Sequence, residues 1–255
     1  MTVSPSSKQN ADVTQDSLLG GQVSIRQPAQ GYRVSLDAVL LAACVPLEER
    51  ASVLDVGCGH GGATLCLAWR KPQARFHGID VRPDAVAQFS ENVILNAWQD
   101  RMTASVADVA DGAGPDYAGR FDWVISNPPY LPVERMDRRA SDGGIDPATT
   151  ETVPLRAWVV FMMACLRKGG RVAVVHRADR IEELLAILAE YCGAIEVFPI
   201  WPKAGAPAKR VVVTARKGDR SPSKIHSGLV LHDEDGDFTP AAHAVLVDGA
   251  PLNAG

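Results

Sequence analysis

Short apolar runs and amphipathic segments follow one another along most of the chain, and this pattern predicts its secondary structure. Between residues 50 and 200, apolar runs of strand length alternate with segments in which apolar residues recur at helical spacing. The predicted strands are Ser52–Val56, Ala74–Ile79, Met102–Val106, Phe121–Ser126 and Arg171–His176, and the predicted helices are Leu36–Cys44, Ala63–Arg70, Pro83–Trp98, Pro154–Leu166 and Ile181–Tyr191. Because strands that alternate with helices form parallel sheets, we expect an α/β fold with a doubly wound, mostly parallel sheet.

Two further apolar runs near the end of this region predict a different strand arrangement. Ile195–Ile200 and Arg210–Ala215 are separated by a segment that contains Pro and Gly, as is typical of antiparallel neighbours. We therefore expect an antiparallel pair that closes the sheet.

The fourth predicted strand ends in a sequence that cannot continue it. Asn127-Pro128-Pro129-Tyr130 contains two successive prolines, which lack backbone donors and restrict the preceding residues to extended geometry. A stiff loop is therefore expected at the carboxyl end of a strand, where open α/β sheets bind ligands. Asn127 and the Pro128 carbonyl offer hydrogen-bond acceptors, and Tyr130 offers a ring for stacking. These groups suit a planar ligand with an amino group, although a rigid turn with a buried Tyr gives the same pattern.

Glycines follow the first strand of the alternating region, at the start of a helix. Gly57, Gly59 and Gly62 form a G-x-G-x-x-G pattern. The first glycine of such a pattern permits a tight turn, the second lets a ligand approach the backbone, and the third lets helix and strand pack closely. We expect Gly57 and Gly59 to contact a nucleotide cofactor.

Three acidic residues lie in or just after the first three strands of the alternating region. Asp80 ends the second strand, at a spacing that fits hydrogen bonding to ribose hydroxyls. Asp55 lies within the first strand, where a carboxylate can hold an amino-bearing ligand, and Asp108 follows the third strand, within reach of an adenine amine. Both nicotinamide dinucleotides and S-adenosylmethionine contain adenosine, but Asp55 and the Asn-Pro-Pro-Tyr loop favour S-adenosylmethionine. Asp55 as a turn cap and Asp108 as a surface residue remain the structural alternatives.

Composition and charge narrow the class of protein. The sequence contains no apolar run long enough to cross a bilayer and no signal peptide pattern, so we expect a cytoplasmic protein. The five scattered cysteines form no C-x-x-C, so neither a disulfide framework nor a metal site is expected. The net charge is −4, yet residues 201–226 contain seven Lys or Arg against one Asp. Such a local basic run is typical of a phosphate-backbone contact and equally of a solvated loop.

Taken together, these motifs give the chain a family resemblance. It resembles the class I S-adenosylmethionine-dependent methyltransferases, with the glycine-rich turn, Asp80, Asp108 and Asn127-Pro128-Pro129-Tyr130 in the family's order. More narrowly, it is similar to the bacterial tRNA1(Val) adenine-37-N6-methyltransferases. Three segments suggest this, namely 31–41 before the glycine turn, Ala208-Lys209-Arg210-Val211-Val212-Val213, and the acidic tail 232–240.

The resemblance implies a Rossmann-like fold, a cofactor, a substrate and a mechanism. Asn127 and the Pro128 carbonyl would accept the hydrogens of an adenine amine in tRNA, and Tyr130 would stack on the base. Asp55, Gly57, Gly59, Asp80, Asp108 and Asn127 would bind S-adenosylmethionine, and Arg33, Lys209 and Arg210 would contact the RNA. Catalysis would rest mostly on alignment. The adenine must be unstacked, which is easier in an anticodon loop than in a duplex.

Other functions use parts of the same pattern. A glutamine N5-methyltransferase that acts on a peptide-release factor would use the same tetrapeptide, because a carboxamide has a comparable planar amine. Such enzymes usually carry a helical domain before the glycine turn, whereas only about 50 residues precede it here. A DNA methyltransferase usually needs a recognition domain for which this chain lacks room. A binding module that retains the fold without catalysis is a further alternative.

The chain divides into four expected regions. Residues 1–18 are polar without an apolar period, which predicts a disordered tail. Residues 19–50 are expected to cover the substrate or cofactor, residues 51–216 to form the catalytic domain, and residues 217–255 to form an irregular extension. The segment 131–151 is long for a connection inside a domain, as functional loops often are.

Overall fold

The computed structural model describes residues 13–30, 33–129, 131–132, 150–151 and 153–252. Its strands are β1 Val13–Leu18, β2 Val23–Pro28, β3 Ser52–Val56, β4 Arg75–Asp80, β5 Met102–Val106, β6 Phe121–Ser126, β7 Leu131–Pro132, β8 Thr150–Glu151, β9 Leu166–Arg177, β10 Cys192–Lys203, β11 Arg210–Lys217, β12 Lys224–Ile225 and β13 Leu229–His232. Its α-helices are α1 Leu36–Cys44, α2 Gly62–Arg70, α3 Pro83–Leu95, α4 Leu155–Cys165, α5 Ile181–Tyr191 and α6 Pro240–Leu246. No helix in these described ranges has the length and apolar character needed to cross a membrane.

A sheet of nine strands forms the centre of the fold. Its order is β12-β10-β11-β9-β6-β3-β4-β5, with β13 also paired to β10. Strands β3, β4, β5, β6 and β9 are parallel, whereas β11 runs antiparallel to both β9 and β10. The α/β class, the doubly wound sheet and the antiparallel closing pair are therefore confirmed. The chain order reverses between β3 and β6, which is where open sheets bind ligands.

Helices cover both faces of this sheet, because successive strand residues point to opposite sides. On one face, α1, α2, α3 and α6 pack over a core that includes Val53, Phe76 and Ile125. On the other face, α4 and α5 pack over the alternate residues, which include Leu54 and Val124. The site described below lies between these two layers, at the carboxyl ends of the strands.

The N-terminal region contains a hairpin that the sequence did not reveal. Val13–Leu18 pairs antiparallel with β2, so the prediction of disorder was wrong for these residues. Residues 1–12 lie outside the described residues. Asn92 of α3 and Asn96, which directly follows this helix, hold β2 in place: Asn92 bonds both the N–H and the carbonyl of Arg26, and Asn96 bonds both groups of Ser24. The hairpin thus depends on side chains some 70 positions away.

Two helix ends differ from their predicted positions for identifiable reasons. Helix α3 ends at Leu95 rather than near Trp98, because the Asn96 side chain turns to the hairpin and Ala97 has a φ of +57°. Helix α4 ends at Cys165, one residue before the predicted end at Leu166. The cation that bonds its last carbonyls is Lys217 of β11, whose Nζ donates to the carbonyls of Met163 and Leu166.

The C-terminal region is more regular than predicted. Instead of an irregular extension over 217–255, it contains β12, β13 and α6. Strands β12 and β13 both add to β10 in parallel, and the Thr239 hydroxyl accepts a hydrogen bond from the Ala242 N–H at the start of α6. These elements are short, and their pairing partners are remote, which is why apolar periodicity did not indicate them.

We predict that Asn92→Ala destabilises the protein by roughly 2–3 kcal/mol, because it leaves the buried His60 carbonyl and the partly buried N–H and carbonyl of Arg26 without the Asn92 amide. Urea denaturation followed by circular dichroism measures this change. The matched control is Gln88→Ala on the same helix, since the Gln88 amide bonds only the exposed Glu91 side chain. Equal losses in the two variants would contradict the role assigned to Asn92.

Candidate active site

Two loops leave the sheet side by side at the point where the chain order reverses. Val56, the last residue of β3, pairs with Ser126, the last residue of β6. The Ser126 hydroxyl donates to the Val56 carbonyl at 2.7 Å and is fully buried, so it ties the two strand ends together. Gly57 and Asn127 therefore begin their loops about one strand spacing, ~5 Å, apart.

The glycine turn after β3 adopts backbone geometry that other residues rarely take. Gly57, Gly59 and Gly61 have φ values of +72°, +52° and +92°. Gly61, which the G-x-G-x-x-G pattern did not single out, is one of these three. Such left-handed positions are nearly free of cost only for glycine.

Apolar side chains from three other elements press directly on this turn. A Cβ on Gly57 would lie 2.8 Å from the Trp158 ring of α4, and one on Gly61 would lie 2.2 Å from the Phe89 ring of α3. A Cβ on Gly62 would lie 2.5 Å from Val34, just before α1. Sequence reasoning expected close packing at Gly62 but had no signal for these three partners, because they come from remote parts of the chain.

Asp80 and the end of β4 hold the turn from the adjacent side. The Asp80 carboxylate accepts a hydrogen bond from the Gly59 N–H at 2.9 Å and a second from the Arg82 N–H at 3.0 Å. The N–H groups of Gly57 and Cys58 both donate to the Ile79 carbonyl. The structure thus brings Asp80, Gly57 and Gly59 together, as the motif spacing predicted.

Asp55 lies beneath the turn and is buried. Its carboxylate accepts a hydrogen bond from the Thr64 hydroxyl of α2 at 2.5 Å. Burial raises the pKa of this carboxyl to about 7, the Thr64 hydrogen bond opposes the rise, and the nearby Asp80 charge adds to it.

Cys58 is not suited to act as a nucleophile. Its thiol is buried, and desolvation together with the charges of Asp55 and Asp80 raises its pKa well above the ordinary value. Only the thiolate is nucleophilic. Cys58 is a packing residue beside Gly78.

Two exposed valines extend the site along the ends of β4 and β5. Val81 follows Asp80 and is 56% exposed, and Val106 ends β5 and is 52% exposed. Since Val106 pairs with Asp80, both valines flank the same carboxylate. Asp108 follows two residues later, where its Oδ1 accepts a hydrogen bond from the Ala110 N–H. Apolar surface left open beside a carboxylate suits the flat ring and the ribose of an adenosine.

The loop after β6 is described as far as Pro129. Asn127 is half-buried, Pro128 is buried and Pro129 is half-buried. Tyr130 lies outside the described residues, as does most of the predicted loop that follows it. The segment Asn127-Pro128 thus starts directly beside the glycine turn.

Arg33, predicted to contact substrate, belongs to a network with the N-terminal hairpin. Its guanidinium contacts the Asp16 carboxylate at 2.8 Å and also donates to the Thr14 hydroxyl and the Pro28 carbonyl. Hydrogen bonds from Gln27 and Thr14, with the charge of Arg33, lower the pKa of Asp16. The network positions Val34 over Gly62, so Arg33 is connected to the glycine turn through its neighbour.

The predicted basic run does not form one continuous patch. Arg210 pairs in the sheet with Arg177 and Arg216 with Arg171, so strand β11 places them at opposite edges, about 20 Å apart. Arg210 bonds the Asp37 carboxylate of α1 at 2.9 Å, whereas Lys209 is exposed. Arg210 begins β11 and Lys209 directly precedes it, two strands from β6 and on the same edge as the glycine turn.

Comparison with known proteins places this site in a family. Residues 33–150 match the family model described as Methyltransferase small domain. A tRNA1(Val) (adenine(37)-N6)-methyltransferase of Porphyromonas gingivalis strain W83 is 32% identical over 232 residues, which cover 86% of this chain and 89% of that protein. The chain belongs to the tRNA1(Val) (adenine(37)-N6)-methyltransferase family.

Solved structures agree with this assignment at the level of fold. A predicted O-methyltransferase from Agrobacterium tumefaciens has a TM-score of 0.68 and 26% identity, over 82% of this chain and 94% of that chain. An S-adenosylmethionine-dependent O-methyltransferase from Thermotoga maritima has a TM-score of 0.53 and 19% identity, over 75% of this chain and 68% of that chain. The chain is a methyltransferase, and its cofactor is S-adenosylmethionine.

We predict that Asp55→Asn changes how stability depends on pH. The pKa of Asp55 is about 7 in the fold against an ordinary value of 3.8, so the folded state holds the proton more tightly and the wild type loses stability as pH rises from about 4 to about 7. Asparagine keeps an oxygen that accepts the Thr64 hydrogen bond. Because it has no ionisable carboxyl, it removes the loss of stability with rising pH.

Urea denaturation at about pH 5 and about pH 8 tests the prediction. The stability of Asp55→Asn relative to the wild type should increase between these two conditions. The exposed Asp84→Asn variant makes the same chemical change on the surface and should show no such trend. A difference between Asp55→Asn and wild type that is independent of pH would refute the assignment.

Proposed function

We propose that this methyltransferase transfers a methyl group to N6 of adenine 37 in tRNA1(Val). The observation that carries the proposal is the pairing of Val56 with Ser126, which sets the glycine turn and the Asn127 loop side by side. A group bound on the turn and an amine held by the loop are then neighbours. The name of the Porphyromonas gingivalis relative supports the choice of substrate.

The cofactor is assigned to the glycine turn and the ends of β4 and β5. When bound there, S-adenosylmethionine supplies the electrophilic methyl group. We assign its adenosine to the surface formed by Val81 and Val106, with Asp80 beside the ribose and Asp108 beside the adenine amine. Gly57 and Gly59 let the remainder approach the backbone, and Asp55 supports the turn from below.

Asn127 and Pro128 orient the target amine. The Asn127 side-chain oxygen and the Pro128 carbonyl accept the two amine hydrogens, which directs the nitrogen lone pair towards the methyl group. The residue assigned to stack on the base is Tyr130, and no strong general base is needed because the proton can leave after transfer. Alignment of this kind contributes up to ~7–11 kcal/mol.

The RNA is proposed to approach along the carboxyl edge of the sheet. Lys209 is an exposed cation on that edge, directly before β11, and Arg210 positions α1 through Asp37. Arg33 holds the segment before α1, which rests on the glycine turn. An enzyme that acts on tRNA works where tRNA is used, so we assign it to the cytoplasm.

The main rival is methylation of a glutamine N5 in a protein. A carboxamide presents the same planar amine to Asn127 and Pro128, so the described geometry of these two residues fits both substrates. The assay below therefore includes both.

We predict that labelled methyl groups from S-adenosylmethionine enter an unmodified tRNA1(Val) transcript as N6-methyladenosine, and that a transcript with guanine at position 37 stays unlabelled. Asn127→Ala should reduce kcat at least a hundredfold, because alignment of the amine is lost. Thin-layer chromatography of the digested RNA identifies the product.

Two controls separate the possible failures. Calorimetric titration with S-adenosylhomocysteine shows whether Asn127→Ala still binds the cofactor product. A purified peptide-release factor is assayed in parallel. Label in the release factor but not in the tRNA would overturn the proposed substrate while leaving the role of Asn127 intact.

We also predict that Lys209→Glu weakens tRNA binding and lowers the slope of log Kd against log salt by about 1, as expected for the loss of one phosphate contact. Fluorescence anisotropy over a range of salt concentrations measures this slope. Lys224→Glu, with the same charge reversal on the distant strand β12, is the control. An unchanged slope for Lys209→Glu would exclude its phosphate contact.

A further inference from the structure

The opposite edge of the sheet carries a cleft that the proposed reaction does not use. It has a volume of about 560 Å³ and lies at the amino ends of β3 to β6. Three arginines line it, each at or directly before the start of a different strand: Arg75 opens β4, Arg101 precedes β5 and Arg120 precedes β6. Because neighbouring strands are about 5 Å apart, these arginines span one short section of the sheet edge.

The arginines of the cleft differ in their ion pairs from the arginines at the carboxyl edge of the sheet. We call this carboxyl edge, where the proposed reaction takes place, the catalytic edge. On the catalytic edge, five arginines each contact a carboxylate: the pairs are Arg33–Asp16, Arg82–Asp80, Arg177–Asp179, Arg180–Glu183 and Arg210–Asp37. In the cleft, neither Arg75 nor Arg120 forms an ion pair within the described part of the chain, and both are exposed. The Arg120 guanidinium donates to the Asp116 carbonyl, its one side-chain hydrogen bond among the described residues.

The third arginine, Arg101, and the carboxylates Asp100 and Asp116 have smaller roles in binding a ligand in the cleft. The Arg101 guanidinium lies over the Trp98 ring and donates to the carbonyls of Ala68 and Lys71 at the end of α2. Asp100 offsets its charge. Asp116 is exposed at the rim. The charges left open to a ligand are thus those of Arg75 and Arg120.

Hydroxyl groups line the same cleft. The His77 ring contacts the hydroxyls of Thr103 and Ser105 at 2.8 and 2.9 Å, and Ser105 in turn contacts the Tyr117 hydroxyl. Burial, together with the charge of Arg120, lowers the pKa of His77 below its ordinary value. Guanidinium groups beside hydroxyl donors are the typical partners of phosphate oxygens.

We infer that Arg75 and Arg120 form a second RNA contact, which binds the phosphate backbone of the substrate away from the methylated nucleotide. This inference rests on the proposed function for the identity of the RNA. Strand β4 is six residues long, so the cleft lies about 20 Å from the glycine turn. A structured RNA is long enough to contact both places at once, since protein modules that bind RNA duplexes contact about 16 base pairs.

The test compares the salt dependence of tRNA binding in the wild type and in Arg75→Gln/Arg120→Gln. Two lost phosphate contacts should lower the slope of log Kd against log salt by about 1.4 to 1.8 and raise Kd several-fold at low salt. The kcat and the affinity for S-adenosylhomocysteine should stay unchanged. The control is Lys224→Gln/Arg220→Gln, which removes two exposed charges at the far end of the sheet.

Each outcome decides the inference. An unchanged slope, or an equal change in the control, would overturn it even if the tRNA is methylated normally. If the wild-type protein bound RNA without methylating it, the proposed function would be refuted. The salt slopes of the wild type and the variant would still show whether Arg75 and Arg120 contact the RNA. If the variant lost only calorimetric binding of AMP, the cleft would be a small-molecule site. If the wild type bound the release factor and no RNA, both proposals would be wrong.

Discussion

The glycine turn after β3 is the constraint on which the rest of the site depends. Its backbone takes left-handed conformations, and Trp158 and Phe89 occupy the space that side chains at Gly57 and Gly61 would need. These contacts join α3, α4 and the segment before α1 to one short loop. A shift of the turn would therefore disturb both helical layers, which explains how this largely buried loop is held in place.

The second requirement is that the site of the methyl donor, on the glycine turn, and the site of the acceptor amine, on the Asn127 loop, keep a fixed position relative to each other. Strands β3 and β6 end level with each other, and the buried Ser126 hydroxyl joins them through the Val56 carbonyl. Since the proposed reaction needs alignment rather than a strong base, this shared strand end is itself a catalytic feature. At the same edge, described arginines such as Arg33 and Arg210 pair with carboxylates, while at the opposite edge Arg75 and Arg120 form no ion pair with the described residues.

Sequence reasoning succeeded where the signal was local. Strands β5 and β6 begin and end where their apolar runs do, and the glycine spacing indicated the turn and the position of Asp80 beside it. It failed where stability comes from distant partners. The β1–β2 hairpin is held by Asn92 and Asn96, and the end of α4 by Lys217. Likewise, nothing near Arg210 in the sequence indicates its pairing with Asp37.

The most direct test of the central claim is an amide NMR titration of the uniformly ¹⁵N-labelled, deuterated protein with S-adenosylhomocysteine. If the cofactor binds across the turn, the largest shift changes should fall on Gly57, Gly59 and the residues after Asp80, with smaller changes at Asn127. The amides around Arg75 and Arg120 should not move. Changes centred on that opposite edge, with the glycine turn unaffected, would contradict the account.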